Sequence, residues 1–534
     1  MALIGILTSS PTKVSPLRTG PKWRDNLENR FNEETQMTET IKVTGASSIK
    51  ANHTLWSNLK WDKMEAFVHR LQTRIAKAER LGKKGRVKAL QRLLTTSFYG
   101  KCLAVKRVTS STGGKTPGID KMCWSTDLQK MKAVDSLKRR GYKPLPLRRI
   151  YISKKSGKGQ RPLSIPTLKC RAMQALHLLA LEPIVEERAD PNAYGFRMKR
   201  STHDAIEQCF NALSRAKSAT FILEGDIRDC FGQISHDWLL ENVPMDKQIL
   251  GKFLKAGYME KGQLKPTIKG TPQGSVISPA LTTLTLAGLE DKLRPAGKSQ
   301  RLGKKINTIS YADDFVVTAA SEDLLQYEVM PKLVEFLKTV GLELSVEKTK
   351  ITTIDQGFDF LGFTIRKYKN GKVLITPCKN NIKRFLKETR RLIRKGAALP
   401  TDKLIHTLNQ KITGWTNYYR SAVSSRVFSQ IDHHLFHALK RWALKRHSRK
   451  GIRWIMKHYW KSHKGDNWRF YCQVRDKEGN KKPLFLKRAI DTKIRRHTKI
   501  VAHANPFDPL YKEYFINREK SKKRVAAPSV SGLI

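Results

Sequence analysis

The sequence predicts an α+β core followed by a helical, strongly basic C-terminal part. Three observations predict it. Between Pro146 and Ile365, short β-rich apolar runs are mixed with helix-period segments in an order that suits α+β rather than a doubly wound sheet. After Pro377, apolar residues recur at helical spacing in three successive segments. The 534 residues also carry 103 Lys and Arg against 46 Asp and Glu, a formal net charge of +57. Self-repulsion on that scale disfavours a compact state unless a polyanion binds, which argues against an ordinary metabolic enzyme. Hydrophobic residues make up 39%, enough for real cores. At about 150 residues each, roughly three or four domains are expected.

Residues 1–54 read as a flexible basic arm. The first 24 contain no Asp or Glu, three Ser and four Lys or Arg. That loosely resembles an organellar transit peptide, and a disordered arm is the simpler reading. From Leu55 to about Ser110, the spacing of Phe67, Leu71, Ile75, Leu90, Leu93 and Leu94 predicts amphipathic helices with basic outer faces. Gly113–Gly118 is a loop by its Gly and Pro content. Arg148–Ile152 and Pro162–Ile165 read as strands around a Gly-rich turn at 156–159. Cys170–Arg188 reads as a helix and Phe221–Ile227 as a strand. Ser278-Pro279 caps a helix running to Leu289. Ile306–Thr318 is two short strands around a tight turn. Beyond Pro377, one helix carries Ile382, Phe385, Leu386 and Ile393. A second, capped by Thr401, carries Leu404, Leu408 and Ile412. A third carries Phe428, Ile431, Leu435, Leu439 and Trp442, and together they read as a small bundle. A hairpin is expected at 477–480, and residues 519–534 read as a disordered tail.

The seven cysteines are widely spaced and form no C-x-x-C pair, so neither zinc nor a disulfide framework is expected. His434 and His437, one helical turn apart, read as part of a basic helix face rather than as metal ligands. No apolar run reaches the roughly 18–20 residues of a membrane span, so no membrane partner is expected. Nucleic acid is the better match to basic residues interleaved with aromatics.

Asp313 and Asp314 carry the chemistry. They interrupt the apolar β-formers of Ile309–Val317, which places them at a hairpin tip. Alone, such a pair is usually a solvated turn. Asp226, at the end of the strand Phe221–Ile227, changes the reading. If the two strands are neighbours, the three carboxylates converge. Carboxylates a few Å apart repel unless a cation neutralises them, and hard oxygen donors select Mg²⁺. Two Mg²⁺ roughly 3.5–4 Å apart activate a 3′-hydroxyl and stabilise a leaving pyrophosphate. In so basic a protein, template-directed nucleotidyl transfer is the natural reaction.

Tyr311-Ala312-Asp313-Asp314 resembles the polymerase signature of reverse transcriptases, in the form common among group II intron-encoded proteins. Asp226–Phe231 resembles the family's first aspartate motif. It is followed by Ile234-Ser235-His236, where the family usually has Ile-Asp-His. Gly270–Pro279, Gly341–Lys350 and Phe358–Phe363 resemble three further blocks in the same order. The resemblance covers about residues 55–518. It implies that Asp226, Asp313 and Asp314 are catalytic and hold two Mg²⁺ with the Ile227 carbonyl, with no zinc and no organic cofactor. It places Lys154, Arg161, Phe231, Gln273, Gly274 and Lys348 around the nucleoside triphosphate. Arg161 and Lys154 would neutralise phosphates. Phe231 would block a ribose 2′-hydroxyl or simply be a core ring. Lys348 would protonate the leaving group or be a helix-end lysine. Phe360, Leu361 and Gly362 resemble the primer grip.

Residues 438–464 contain ten Lys and Arg and no acid, with Trp442, Trp454, Tyr459 and Trp460 interleaved. Phosphate contact plus base stacking is the reading. Gly414–Arg420 resembles the signature of the maturase, or X, domain. RNA contact is therefore expected at Trp415, Tyr418, Tyr419 and Arg420, and at Lys440, Arg441, Lys445 and Arg446. Ala504–Phe515 resembles the end of the family's DNA-binding region.

The implied fold is a right-hand polymerase. A helical extension spans 55–145, fingers and palm 146–377, a three-helix thumb 378–464, and a small basic DNA-binding region 465–518. The implied activity is RNA-directed DNA synthesis combined with assistance to splicing and reverse splicing. The implied partners are intron RNA, target DNA, a primer–template duplex and deoxynucleoside triphosphates, with monomer and dimer both open. A binding-only splicing factor and a reverse transcriptase of another bacterial retroelement are the alternatives. The C-x-x-C pairs of an H-N-H endonuclease are not found, so second-strand cleavage is not expected. A bacterial cytoplasmic setting is expected over an organellar one.

Overall fold

The computed structural model describes residues 56–153, 159–476 and 478–526. The N-terminal arm, Lys154 and residues 527–534 lie outside the described residues. The chain divides into two units. The smaller comprises residues 1–59 and 125–132. There Thr126 and Gln129 cap a helix start reciprocally: Gln129 N–H donates to Thr126 Oγ1 (3.2 Å), and Gln129 Oε1 accepts from Thr126 N–H (3.1 Å). The rest belongs to the larger unit.

In the larger unit, α1 (Trp61–Arg80), α2 (Lys84–Thr96) and α3 (Phe98–Thr109) bury Leu71, Ile75, Leu90, Leu94 and Val105. Their apolar stripes pack on α4 (Leu168–Arg188), a helix buried nearly all round. The buried Arg171 guanidinium of α4 donates to the Gly113 carbonyl at 2.8 Å, tying down the glycine loop.

A mixed sheet follows in the order β2-β1-β4-β5, from β1 (Leu147–Ser153), β2 (Gln160–Ile165), β4 (Tyr258–Glu260) and β5 (Gln263–Lys265). Strands β3 (Phe221–Asp226), β6 (Asn307–Tyr311), β7 (Asp314–Ala319) and β8 (Lys350–Thr353) form an antiparallel sheet in the order β6-β7-β3-β8. Helix α5 (Thr202–Leu213) packs on β6. The helix expected from Ser278 to Leu289 is shorter. Helix α6 (Ser278–Thr285) ends before Gly288, whose φ of 92° starts a separate turn of helix, Leu289–Leu293. Ser278 does not cap; its hydroxyl donates to the Pro272 carbonyl at 3.0 Å.

Strands β9 (Phe358–Phe360), β10 (Phe363–Lys367) and β11 (Val373–Pro377) lead into α7 (Lys379–Lys395), α8 (Thr401–Tyr419) and α9 (Ser425–Arg446). Thr401 is the first residue of its helix rather than the cap. The three helices are not a free-standing bundle. One continuous core joins their buried faces to α5 and the β9–β11 sheet. It also takes in α10 (Ile452–Tyr459) and the sheet of β12 (Trp460–His463), β13 (Asp466–Arg475) and β14 (Lys481–Phe485). Phe363 and Phe428, both fully buried in it, contribute roughly 1.5–3 kcal/mol each. The tail is not disordered through 526, because α11 (Lys512–Ala526) extends there. Among the described residues, no helix is long and apolar enough to cross a membrane.

Candidate active site

Strands β3 and β7 are neighbours, and Asp226 stands directly opposite Asp314. Tyr311 pairs with Asp314 across the β6–β7 hairpin, leaving Ala312 and Asp313 as a two-residue loop. Ala312 adopts φ 60°, a left-handed value that is costly for a residue with a Cβ. The surroundings hold it there. Ser310 N–H donates to the Asn192 carbonyl (3.1 Å), and Tyr194 N–H donates to the Ser310 carbonyl (2.9 Å). A methyl on Gly195 would lie 2.2 Å from the Ala312 nitrogen, so only glycine lets this segment brace the hairpin. One strand over, the Phe315 ring lies on Gly225, where a methyl would meet it at 2.1 Å. These glycines were missed in the sequence, where no turn signal or periodicity marks them.

The three carboxylates feel one another. Burial raises the Asp313 pKa, and the Asp226 charge adds to it. Desolvation by the surrounding chain pushes Asp314 up to about 6, with repulsion from Asp313 and Asp226 adding to it. Residue 314 keeps an exposed face. Lys348 Nζ donates to Asp226 Oδ2 at 2.5 Å, which raises the lysine pKa. Lys348 lies in a turn before β8, not at a helix end. Among the described residues, no three His, Cys, Asp or Glu side chains close on a common point. Asp226 is turned to the lysine instead. The donor set still fits a hard divalent cation: it is oxygen-only, and a cation would relieve the repulsion that lifts Asp313 and Asp314. Ile227 is buried, and its carbonyl lies outside the two bonds that join this stretch to 343–345. Those are Ser345 N–H to the Asp226 carbonyl (2.8 Å) and Arg228 N–H to the Glu343 carbonyl (2.9 Å).

Around this centre, Arg161 is exposed on β2 and draws the Asp313 pKa down electrostatically. The Gln273 carbonyl accepts from Ser164 N–H (2.8 Å), which pins the 270–276 loop to β2. Gly274 takes φ 104°, and a methyl there would press on Leu163 at 2.9 Å. The buried Gln174, also unmarked in the sequence, accepts from Ser275 Oγ–H (2.9 Å) and Val276 N–H (3.0 Å). Phe231 is half-buried, its ring edge-to-face with that of exposed Phe196 at 6.0 Å between centroids. It is not a core ring.

Phe360 pairs with Phe363, and Leu361 (φ 49°) and Gly362 (φ 85°) form the turn between them. Here the structure corrects an expectation. The tyrosines assigned to RNA hold this turn: Tyr418 OH donates to the Leu361 carbonyl (2.8 Å) and Tyr419 OH to the Gly362 carbonyl (3.1 Å). Tyr419 is 2% exposed, and Asn381 donates to its oxygen at 2.8 Å. Trp415 stacks on Phe385 and is partly buried. Tyr419→Phe should cost about 1 kcal/mol, read as a lower urea midpoint, because it removes the bond to the Gly362 carbonyl.

The basic run is also rearranged. Trp442, Tyr459 and Trp460 are buried in the core, so of the four interleaved aromatics only Trp454 keeps an exposed ring. Arg441 and Lys445 are exposed and Lys440 is partly so. Arg446 instead donates to the Ala397 and Leu399 carbonyls (both 2.9 Å) just past the end of α7. Arg420 is partly buried, with its Nε unpaired. A stronger basic face went unnoticed: Lys383, Arg384, Lys387, Arg390, Arg391 and Arg394 of α7 are all exposed. Their spacing opposite Phe385, Leu386 and Ile393 was the available signal. Part of the segment after 496 is anchored to the rest of the unit, while residues such as Val501, Leu510, Lys512 and Lys520 stay exposed. It packs back through Asp204, which accepts from His497, the Ile500 N–H and Arg518. Asn505 also donates to Glu187 (2.7 Å).

Comparison with known proteins gives the class. Residues 152–365 match the family described as reverse transcriptase (RNA-dependent DNA polymerase), and residues 56–137 match the N-terminal domain of reverse transcriptase. Residues 382–460 match the maturase-specific domain of group II introns. Protein YkfC of Escherichia coli is 34% identical over 318 residues, which is 51% of this chain and 82% of that protein. The group II intron-encoded protein LtrA of Lactococcus lactis is 28% identical over 424 residues, 62% of this chain and 70% of LtrA. An uncharacterized 91 kDa protein in the cob intron of Schizosaccharomyces pombe is 29% identical over 366 residues, 54% of this chain and 45% of that one. The chain belongs to the group II intron reverse transcriptase/maturase family.

Proposed function

We propose that this protein binds its own group II intron RNA, assists its splicing and its reverse splicing into DNA, and copies it into cDNA. The observation that carries the reading is Asp226 facing Asp314 across paired strands, with Asp313 in the loop beside them. Asp226, Asp313, Asp314 and the Ile227 carbonyl would hold two Mg²⁺, which would supply activation of a primer 3′-hydroxyl and charge stabilisation for the departing pyrophosphate. Arg161, and Lys154 beyond the described residues, neutralise the incoming triphosphate. The Phe231 ring bars a ribose 2′-hydroxyl. The 273–274 backbone seats the new base pair, and the Phe360–Gly362 turn positions the primer. Lys348 orients Asp226 and carries a proton suited to the leaving group.

In this reading 55–145 extends the polymerase, 146–377 forms fingers and palm, and 378–464 forms the thumb. Residues 465–518 form the DNA-binding region, with their exposed cations toward the DNA backbone. Mg²⁺-dependent cDNA synthesis from a primed intron RNA tests the polymerase. If wild type makes none while still binding that RNA, a binding-only splicing role takes its place. Removing Arg441 and Lys445 together should weaken RNA binding and lower the salt slope by about one unit for each phosphate no longer neutralised. An unchanged slope would mean that other cations neutralise the phosphates, with the α7 face next in line. Arg446→Ala should also lower stability, since its guanidinium closes the end of α7.

A further inference from the structure

Away from the carboxylates, a recess of about 710 Å³ opens between the start of α8, helix α10 and strand β13. Trp454 and His458, one turn apart on α10, line it as a stacked pair, their ring centroids 4.6 Å apart and their planes 10° from parallel. The indole is 38% exposed, whereas Trp442, Tyr459 and Trp460 close by in sequence are all buried. Core packing therefore accounts for those three, whereas Trp454, beside His447 (ring centroids 5.1 Å) and stacked on His458, stays partly open to solvent. Half-buried Tyr471 and Cys472 also line the recess, with Asp402 and Gln473 as its polar groups. Lys457 is exposed beside it, and Lys450 Nζ lies 5.6 Å from the indole centroid. Asp402 makes no ion pair among the described residues, in a chain of net charge +57. A place in the first turn of α8 suits an acid. It does not account for a recess walled by stacked rings.

The chemistry selects the occupant. The outer face of a stacked ring pair is a platform for a planar base, and cations at the rim suit the phosphate attached to it. A carboxylate only accepts hydrogen bonds, so it favours a base edge with adjacent N–H donors. Guanine, with N1–H beside its 2-amino group, is the best match. A base stacked and paired in a duplex cannot enter, so the nucleotide must be unpaired. We propose that this recess holds one unpaired guanine nucleotide of an RNA, stacked on the Trp454–His458 wall, its donor edge toward Asp402 and its phosphate toward Lys450 and Lys457. The proposal rests on the reading that the chain binds RNA.

The test uses the full chain and the RNA that co-purifies with it at raised salt. Trp454→Ala should weaken binding roughly 5- to 100-fold, and Trp454→Phe should stay within about threefold of wild type because it keeps a stacking face. The salt slope of Trp454→Ala should match wild type, since stacking releases no counterions. Removing Lys450 and Lys457 should lower that slope. RNA carrying 6-thioguanosine should photocross-link to the 452–459 segment, and Asp402→Asn should reduce the preference for guanosine over inosine at the cross-linked position. Wild-type affinity in Trp454→Ala, or cross-links confined to other segments, would overturn the assignment while leaving RNA binding intact. Should Trp454→Ala fail to fold, an unaltered guanosine preference in Asp402→Asn overturns it instead. If wild type binds no RNA, the wider reading falls and takes this one with it. Equal losses on single-stranded DNA of the same sequence, without preference for RNA, would refute RNA as the ligand.

Discussion

Asp313→Ala abolishes cDNA synthesis, by at least about 10³-fold, and leaves intron RNA binding unchanged. The two effects separate because they live on different parts of the molecule. Asp313 sits in the two-residue loop between β6 and β7, beside Asp226 and Asp314. The proposed RNA contacts lie instead on the cations of the C-terminal helices. The substitution should not unfold the chain. Asp313 is one of three mutually repelling carboxylates, and deleting one relieves the charge that raises Asp314. Thermal melting should therefore show an unchanged or slightly higher midpoint. Primer extension at saturating Mg²⁺ decides the matter: cDNA yields above a few per cent of wild type would remove Asp313 from the machinery. A parallel loss of RNA binding would point to misfolding.

Asp204→Ala lowers stability by about 3–5 kcal/mol, the largest structural effect expected of any single substitution here. Its carboxylate is completely buried. Oδ2 accepts from the Ser201 N–H (2.9 Å) and hydroxyl (2.7 Å) at the start of α5. Oδ1 accepts from His497 (2.9 Å), Ile500 N–H (2.7 Å) and Arg518 (2.8 Å). Alanine leaves the buried Arg518 guanidinium without its carboxylate and frees the C-terminal segment from the helix that packs on β6. Burial by itself would raise the Asp204 pKa. The hydrogen bonds from His497 and Ser201 outweigh it and hold the carboxyl well below the usual carboxylate range. A depressed folded pKa contributes stability that is fully present above the unfolded value of about 4. That contribution is lost as pH falls below it. Urea midpoints measured from pH 6 down to pH 3 should fall more steeply for wild type than for Asp204→Asn. Parallel curves would show that this carboxylate does not drive the acid sensitivity.

Much of the site was readable from residues alone. Two aspartates among apolar β-formers mark a hairpin, and β6 and β7 do meet at Ala312-Asp313. The end of β3 at Asp226 was equally plain. Its position opposite Asp314 was only conditional, because backbone pairing between strands nearly ninety residues apart leaves no local trace. The bracing of Ala312 by Gly195 was invisible for the same reason. Aromatic residues misled where they were read by composition. Trp442 continues the apolar stripe of Leu435 and Leu439, which periodicity already placed inward, and it is buried. Tyr418 and Tyr419 look like a recognition motif in the sequence. In the fold their hydroxyls go to two carbonyls of a distant turn.

The sequence by itself determined the inventory of helices and strands, the large excess of positive charge and the order of the blocks along the chain. Those follow from local propensity, periodicity and composition, which act over a few residues at a time. Only the tertiary structure decided which strands became neighbours, which rings were buried, and that Asp226 meets Lys348 while Asp204 meets Arg518. Those pairings depend on which distant groups share a dry interior or a sheet edge, a property of the assembled backbone that no short window of residues contains.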